Sequence, residues 1–92
     1  MKAQPVPVGT HGIIRYWAAA REAAGCAEEA YAAGTLAAAL ETARLGRDQR
    51  FADVVRRCSF VVDGDPVGAR DHQLVVLSDA GVIEVLPPFA GG

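Results

Sequence analysis

The period of apolar and polar positions changes several times along this chain of 92 residues. Ile13-Ile14-Arg15-Tyr16-Trp17 is a short β-branched and aromatic run, which predicts a strand. Ala18 to Gly25 is rich in alanine and predicts a helical turn stopped by the glycine. Glu28 to Tyr31 predicts a weak second strand, because its alanines carry little β preference. Leu36, Ala39, Leu40 and Ala43 then recur at i, i+3, i+4 and i+7. With Thr35 placed to cap and Gly46 just past the end, they predict a helix with a narrow apolar stripe. Asp48 can cap a second short helix in which Phe51, Val54 and Val55 share a face. Ser59-Phe60-Val61-Val62 predicts a strand closed by Asp63-Gly64, a hairpin turn signal. Leu74-Val75-Val76-Leu77 predicts another strand, and Asp79-Ala80-Gly81 turns the chain into a final one over 82–86.

The predicted order is therefore β-β-α-(α)-β-β-β, with no repeat and no low-complexity stretch. Strands gathered around one main helix predict an α+β domain, a mixed four- to five-stranded sheet with that helix across one face. Pro5 and Pro7 forbid a regular ladder near the start, so residues 1–11 read as a flexible leader. Residues 12–86 read as the domain and 87–92 as an extended tail.

Composition narrows the possibilities. The chain is 51% apolar and 22% charged, which suits one small globular domain able to bury roughly 60% of its unfolded surface. A net charge of −2 lacks the basic excess that nucleic-acid binding requires. No apolar run approaches the ~18 residues of a membrane span, and the start has no secretory core, so the expected location is cytoplasmic. Cys26 and Cys58 make no CxxC or Cys/His metal spacing. They read as core or incidental thiols, with a redox or thioester role for Cys58 as the alternative.

Eight of the nine basic residues are arginine, and Lys2 is the lone lysine. GC-rich codon usage explains the bias. A functional alternative is that a lysine-poor body resists acylation by an activated terminus. Arg44, Arg47, Arg50, Arg56 and Arg57 crowd one stretch. They read as a solvated face, the alternative being a docking patch for an acidic partner.

The chemical inventory is nearly empty. Neither GxxxxGK[ST] nor GxGxxG occurs, so no ATP site is expected on this chain. Asp63-Gly64-Asp65-Pro66-Val67-Gly68 imitates the start of a calcium loop, but Val67 and Leu74 occupy positions where ligands are needed, so it reads as a turn. His11 and His72 read as solvent-exposed histidines, and no metal site is expected. By elimination the reactive group is the carboxylate of Gly92.

The tail Leu86-Pro87-Pro88-Phe89-Ala90-Gly91-Gly92 supports that reading. Without a Cβ, Gly91-Gly92 can pass a narrow channel. A terminal carboxylate with a reference pKa of ~3.3–3.7 is ionised at neutral pH and can be captured by amide or basic groups of a partner. Pro87-Pro88 favours an extended path of ~3.1 Å per residue, so the tail reaches on the order of 18 Å. Pre-stiffening reduces the entropy lost on insertion. Phe89 can anchor the tail in an apolar pocket. A frayed polar end is the plain alternative, and Leu-Pro-Pro-Phe is an unusual sequence for one.

Asp79-Ala80-Gly81-Val82-Ile83-Glu84-Val85-Leu86-Pro87-Pro88-Phe89-Ala90-Gly91-Gly92 resembles the end of the MoaD/ThiS family of ubiquitin-like sulfur carriers. It has that family's acidic turn, last strand, Pro-Pro and diglycine, and the element order over 12–92 fits the β-grasp fold. The resemblance implies that an E1-like enzyme uses ATP to adenylate Gly92 and that a sulfurtransferase replaces AMP to give a thiocarboxylate. It further implies that Gly91, Ala90, Phe89, Pro88, Pro87 and Leu86 enter or line a partner, with no cofactor bound by this chain. In the molybdopterin branch the partner is the large synthase subunit, in a heterotetramer, and the sulfur builds the dithiolene. The small subunit is then a co-substrate rather than an enzyme by itself.

Phe89 stands where the family commonly has a small β-branched residue, and the turn reads Asp-Ala-Gly rather than Asp-Gly-Asp. The 11-residue leader and second helix exceed what thiazole-type carriers usually show, and those carriers generally lack Pro-Pro. Both points favour the molybdopterin branch. Sulfur supply for thiazole or cysteine synthesis, protein modification through Gly92, and plain docking of the tail are the alternatives.

Overall fold

The computed structural model describes residues 10–88, so Phe89, Ala90, Gly91 and Gly92 lie outside the described residues, as do the first nine. Five strands form one sheet: β1 (Thr10–Tyr16), β2 (Glu28–Ala33), β3 (Ser59–Val62), β4 (Asp65–Pro66) and β5 (Gly81–Leu86). Their spatial order is β2-β1-β5-β3-β4. β1 and β5 run parallel, and every other pair is antiparallel. Helices α1 (Ala18–Ala24), α2 (Leu36–Arg44) and α3 (Gln49–Arg56) complete the α+β domain, with a 3₁₀ turn at His72–Leu74.

Period-2 alternation puts Ile14 and Tyr16 of β1, Ile83 and Val85 of β5, and Phe60 and Val62 of β3 on one face. Leu36, Ala39 and Ala43 of α2 and Phe51 of α3 close over that face, as the helical spacing predicts. Tyr16, Phe51, Ile14, Leu36, Ile83 and Val85 are the largest fully buried side chains. Burial of such groups stabilises by roughly 1.5–3 kcal/mol each. Four of the six sit on β1 and β5, so the core is centred on the parallel pair.

The predicted caps are present. Thr35 accepts from the Ala38 N–H at 3.2 Å, and Asp48 Oδ1 accepts from the Phe51 N–H at 3.1 Å. α1 ends on Gly25 in the left-handed region, φ 81°, where the glycine N–H donates to the Arg21 carbonyl. Asp63 and Gly64 both have positive φ, 52° and 81°, and join Val62 to its partner Asp65 as a two-residue hairpin loop. Those angles are what a type I′ turn demands.

The strand predicted over 74–77 is absent. Residues 72–74 coil into the 3₁₀ turn, and Val76 makes only an isolated bridge with Thr35. The reason lies in the hydrogen bonds. Leu36 N–H donates to the Val75 carbonyl and Leu77 N–H to the Gly34 carbonyl, so the segment pairs with the entry to α2 instead of the sheet. The alternation itself is real: Val75 and Leu77 are buried, whereas Leu74 and Val76 are exposed. The fifth strand is the short β4, which the sequence reading lacked.

β1 also starts earlier than expected, so Thr10 and His11 belong to the sheet. Thr10 Oγ1 donates to the Ala33 carbonyl at 3.0 Å, and the His11 N–H donates to Asp79 Oδ1 at 3.1 Å. β2 runs on to Ala33, beyond the Tyr31 limit read from the sequence.

Candidate functional site

Being central, β5 carries the chain out of the sheet between two neighbours and leads into Pro87-Pro88. Its last paired residue, Leu86, sits opposite Ser59 of β3. On the other side the Trp17 N–H donates to the Val85 carbonyl at 3.2 Å and closes the β1–β5 ladder. The Trp17 carbonyl then accepts from the N–H groups of Ala20 and Arg21 and starts α1. Ala18, the first residue of α1, adopts φ 50°. A non-glycine residue in that region stores strain on the order of 1–2 kcal/mol. The sharp reversal keeps Trp17 and α1 beside the end of β5.

The result is an apolar cleft at the root of the tail. Trp17, Ala18, Ala19, Leu86, Pro87 and Pro88 line a cavity of about 690 Å³, and Ser59 supplies a hydroxyl at one side. The indole Nε1–H donates to Glu84 Oε1 at 3.1 Å, which fixes the ring although Trp17 is 43% exposed. The predicted tail residues Leu86, Pro87 and Pro88 therefore share one site, while Phe89, Ala90, Gly91 and Gly92 lie outside the described residues. Trp17 escaped the sequence reading as a site residue, because there it counted only as the end of a strand. Its signal was a lone tryptophan placed immediately before a helix start.

A second concavity of about 590 Å³ lies along β3, lined by Leu40, Val55, Arg56, Cys58, Phe60 and His72 among others. His72 is half-buried there, with its ring edge-on to Phe60 at 5.1 Å, and is not the solvent-exposed histidine expected. Cys58 donates its thiol to the Val54 carbonyl at 3.2 Å, and burial pushes its pKa up to about 11. A thiol so shifted is almost wholly protonated at neutral pH and is a poor nucleophile. Asp63 has a defined task in the turn that imitates a calcium loop. It accepts from the Ser78 hydroxyl and the Val82 N–H, and these bonds hold its carboxyl below the usual range. Its carboxylate clasps the hairpin loop to the start of β5.

The arginine stretch also divides. Arg44, Arg50, Arg56 and Arg57 are exposed, but Arg47 is turned inward. Its guanidinium makes two bonds to the Glu29 carboxylate, at 2.8 and 3.2 Å, and others to the carbonyls of Ala24 and Ala43. Burial pulls its pKa down, yet the Glu29 hydrogen bonds and charge outweigh that and leave it raised. Tyr16 donates its hydroxyl to the same carboxylate, and its pKa is raised by burial and by Glu29. This network ties β1, β2 and the ends of α1 and α2 together.

Comparisons with known proteins agree with this geometry. No curated protein matches the chain by sequence. Small archaeal modifier protein 1 from Methanosarcina acetivorans superposes with a TM-score of 0.76 at 18% identity, over 90% of this chain and 97% of that one. The HVO 2177 protein of Haloferax volcanii gives 0.75 at 21% identity, over 99% and 94%. A Pyrococcus furiosus protein, provisionally assigned as molybdopterin converting factor subunit 1, gives 0.70 at 21%, over 88% and 100%. These likenesses show the fold, a ubiquitin-like β-grasp. The ThiS family profile matches residues 14–92, from the middle of β1 through the diglycine, and the chain belongs to the ThiS family.

Proposed function

We propose that this protein is a sulfur carrier whose Gly92 is adenylated and then thiocarboxylated, and that it donates the sulfur for dithiolene formation in molybdopterin synthesis. The observation that carries this reading is the family match, which runs unbroken from the core into the tail. The chemistry is consistent with it. A carboxylate is a poor electrophile until an oxygen bonds to the α-phosphorus of ATP and pyrophosphate leaves. Sulfur at the sulfide level then displaces AMP, and the thiocarboxylate is kept from water by the pocket that receives it. The chain's own part is to present the terminus. The ATP site belongs to an E1-like partner, a sulfurtransferase brings the sulfur, and the large synthase subunit receives the loaded tail. Pro87-Pro88 and the likeness to the Pyrococcus protein favour the molybdopterin branch over thiazole or cysteine synthesis.

A second reading, attachment of Gly92 to lysines of other proteins, is favoured by the likeness to small archaeal modifier protein 1. Incubation with an E1-like enzyme, ATP and a sulfur donor separates the possibilities. The carrier reading expects a sulfur-for-oxygen mass gain at Gly92, and adenylation without that gain refutes it. Gly-Gly remnants on lysines of other proteins point instead to the modifier. Capture of a molybdopterin synthase large subunit in preference to a thiazole synthase identifies the branch.

A further inference from the structure

Charge is unevenly placed on this molecule. Residues 44–57 hold five arginines against Asp48 and Asp53, a net charge of +3. The other described residues hold Arg15, Arg21 and Arg70 against nine carboxylates, a net of −6. An acidic body therefore carries one basic face. Arg47 is drawn inward to Glu29, which leaves Arg44, Arg50, Arg56 and Arg57 exposed. Arg57 joins no salt bridge among the described residues, and Arg50 reaches Glu22 only at 3.9 Å. Arg44 and Arg56 bond Glu41 and Asp53 one turn back, at 2.8 and 2.9 Å, with all four side chains well exposed. Exposed pairs of this kind contribute at most about 1 kcal/mol, so an incoming carboxylate can replace either partner.

An apolar groove runs through this face. The two helices beside it lean on different supports, α2 on β2 and the 3₁₀ turn and α3 on α1, which leaves a groove between them. The concavity along β3 continues there into another of about 270 Å³, and Leu40, Val55, Arg56 and His72 line both. Arg44 belongs to the α2 wall and Arg56 to the α3 wall. Leu40 and Val55, both half-buried, supply apolar surface from the same two walls, and Phe60 supplies it from β3. Cationic rims around an apolar floor select one chemistry, a stripe of apolar side chains flanked on both sides by carboxylates. An acidic amphipathic helix carries that pattern, because positions i, i+3, i+4 and i+7 share one face. Laid between α2 and α3, it also extends the helical layer over the sheet.

We propose that the groove between α2 and α3 is a docking site for an acidic amphipathic helix of a partner protein. Leucine-type side chains of that helix seat on Leu40, Val55 and Phe60, and its carboxylates meet Arg44 and Arg56. Arg50 and Arg57 add to the field that draws the partner in. Among the described residues the groove shares only Ser59 with the tail-root cleft, and the proposal does not depend on the chemistry of Gly92.

The test titrates the ¹⁵N-labelled full chain with a synthetic helical peptide of about five turns, ~18 residues, with leucine at i, i+3, i+4 and i+7 and glutamate on both flanks. A scrambled peptide of the same composition is the control. Amide shifts are expected to gather at Leu40, Val55, Arg56, Phe60 and His72, with binding at least about fivefold tighter in 30 mM than in 300 mM salt. The double variant Arg44→Glu, Arg56→Glu is expected to bind at least about tenfold more weakly. Both side chains are exposed, so the fold tolerates the change. Arg21→Glu, an equal charge reversal on α1 outside the groove, is expected to stay within about twofold of the wild type. Equal binding of the scrambled peptide, or undiminished binding by the double variant, reduces the face to general charge attraction and overturns the site. Absence of binding at ~1 mM peptide overturns it too. If sedimentation shows a wild-type dimer that the double variant lacks, a second copy occupies the groove and the acidic-helix reading falls.

Discussion

Among the described residues, Arg47 joins three elements through one side chain. Its side chain binds Glu29 of β2 and the carbonyls at the ends of α1 and α2. Its guanidinium also lies 4.8 Å from the ring centre of Phe51 and 5.8 Å from that of Tyr16. The Arg47–Glu29 pair is largely shielded, with side-chain exposures of 18% and 29%, so removing one partner strands the other. Arg47→Ala is expected to destabilise by about 2–3 kcal/mol, a Tm loss on the order of 10–20 °C in thermal unfolding. Arg47→Lys recovers little, because an ammonium cannot bridge two carboxylate oxygens and stack on a ring at once. Cys58 gives a second prediction at this scale. Its folded-state pKa lies above the ordinary thiol value, so its contribution is complete below about pH 8.5 and fades as pH rises through about 11. Urea midpoints are expected to fall over that window in the wild type and less so in Cys58→Ala. Iodoacetamide at pH 8 is expected to label Cys58 far more slowly in the folded chain than in urea.

At the scale of elements, the parallel pair β1–β5 depends on two glycines facing each other. Gly12 is in register with Gly81 on one side and with Tyr31 on the other. A Cβ at Gly12 lies 2.5 Å from Tyr31 Cζ and meets the Gly81 carbonyl as well. The glycines thus make a slot for the Tyr31 ring, whose hydroxyl donates to the Ser78 carbonyl at 3.0 Å. Gly12→Ala is expected to destabilise by about 1–3 kcal/mol in denaturant titration. Tyr31→Leu does not repair it, because the Gly81 carbonyl is backbone and remains. Most elements were legible because they follow local rules: helical spacing with caps at Thr35 and Asp48, and Asp63-Gly64 between strands. What failed was non-local. Alternation in Leu74-Val75-Val76-Leu77 reports which side chains are buried, but not where backbone groups find partners, and here they find the entry to α2. Arg47 misled for the same reason, since its neighbours in sequence are exposed and its partner Glu29 is on another element.

For the whole molecule, the fold places the tail by its topology. The α+β architecture followed from the pattern of runs, and the β-grasp assignment from the ending. The family was readable from the ending because its residues are contiguous: a strand, two prolines and two glycines in order. Trp17 was not readable as the tail's neighbour, since only the parallel pairing of β1 with β5 brings residue 17 against residues 86–88. That same pairing has a mechanical consequence. A pull on the tail, resisted at the start of β1, loads β1 and β5 along their length in opposite senses. The five pairs from Gly12–Gly81 to Tyr16–Val85 share the load and must give way together. Anchoring at Thr10 and Pro88 in single-molecule pulling is therefore expected to give a higher rupture force than anchoring at Ser59 and Pro66. The second pair of anchors opens the β3–β4 hairpin one bond pair at a time. A pull on the end of β5 therefore acts along the direction in which all five pairs resist together.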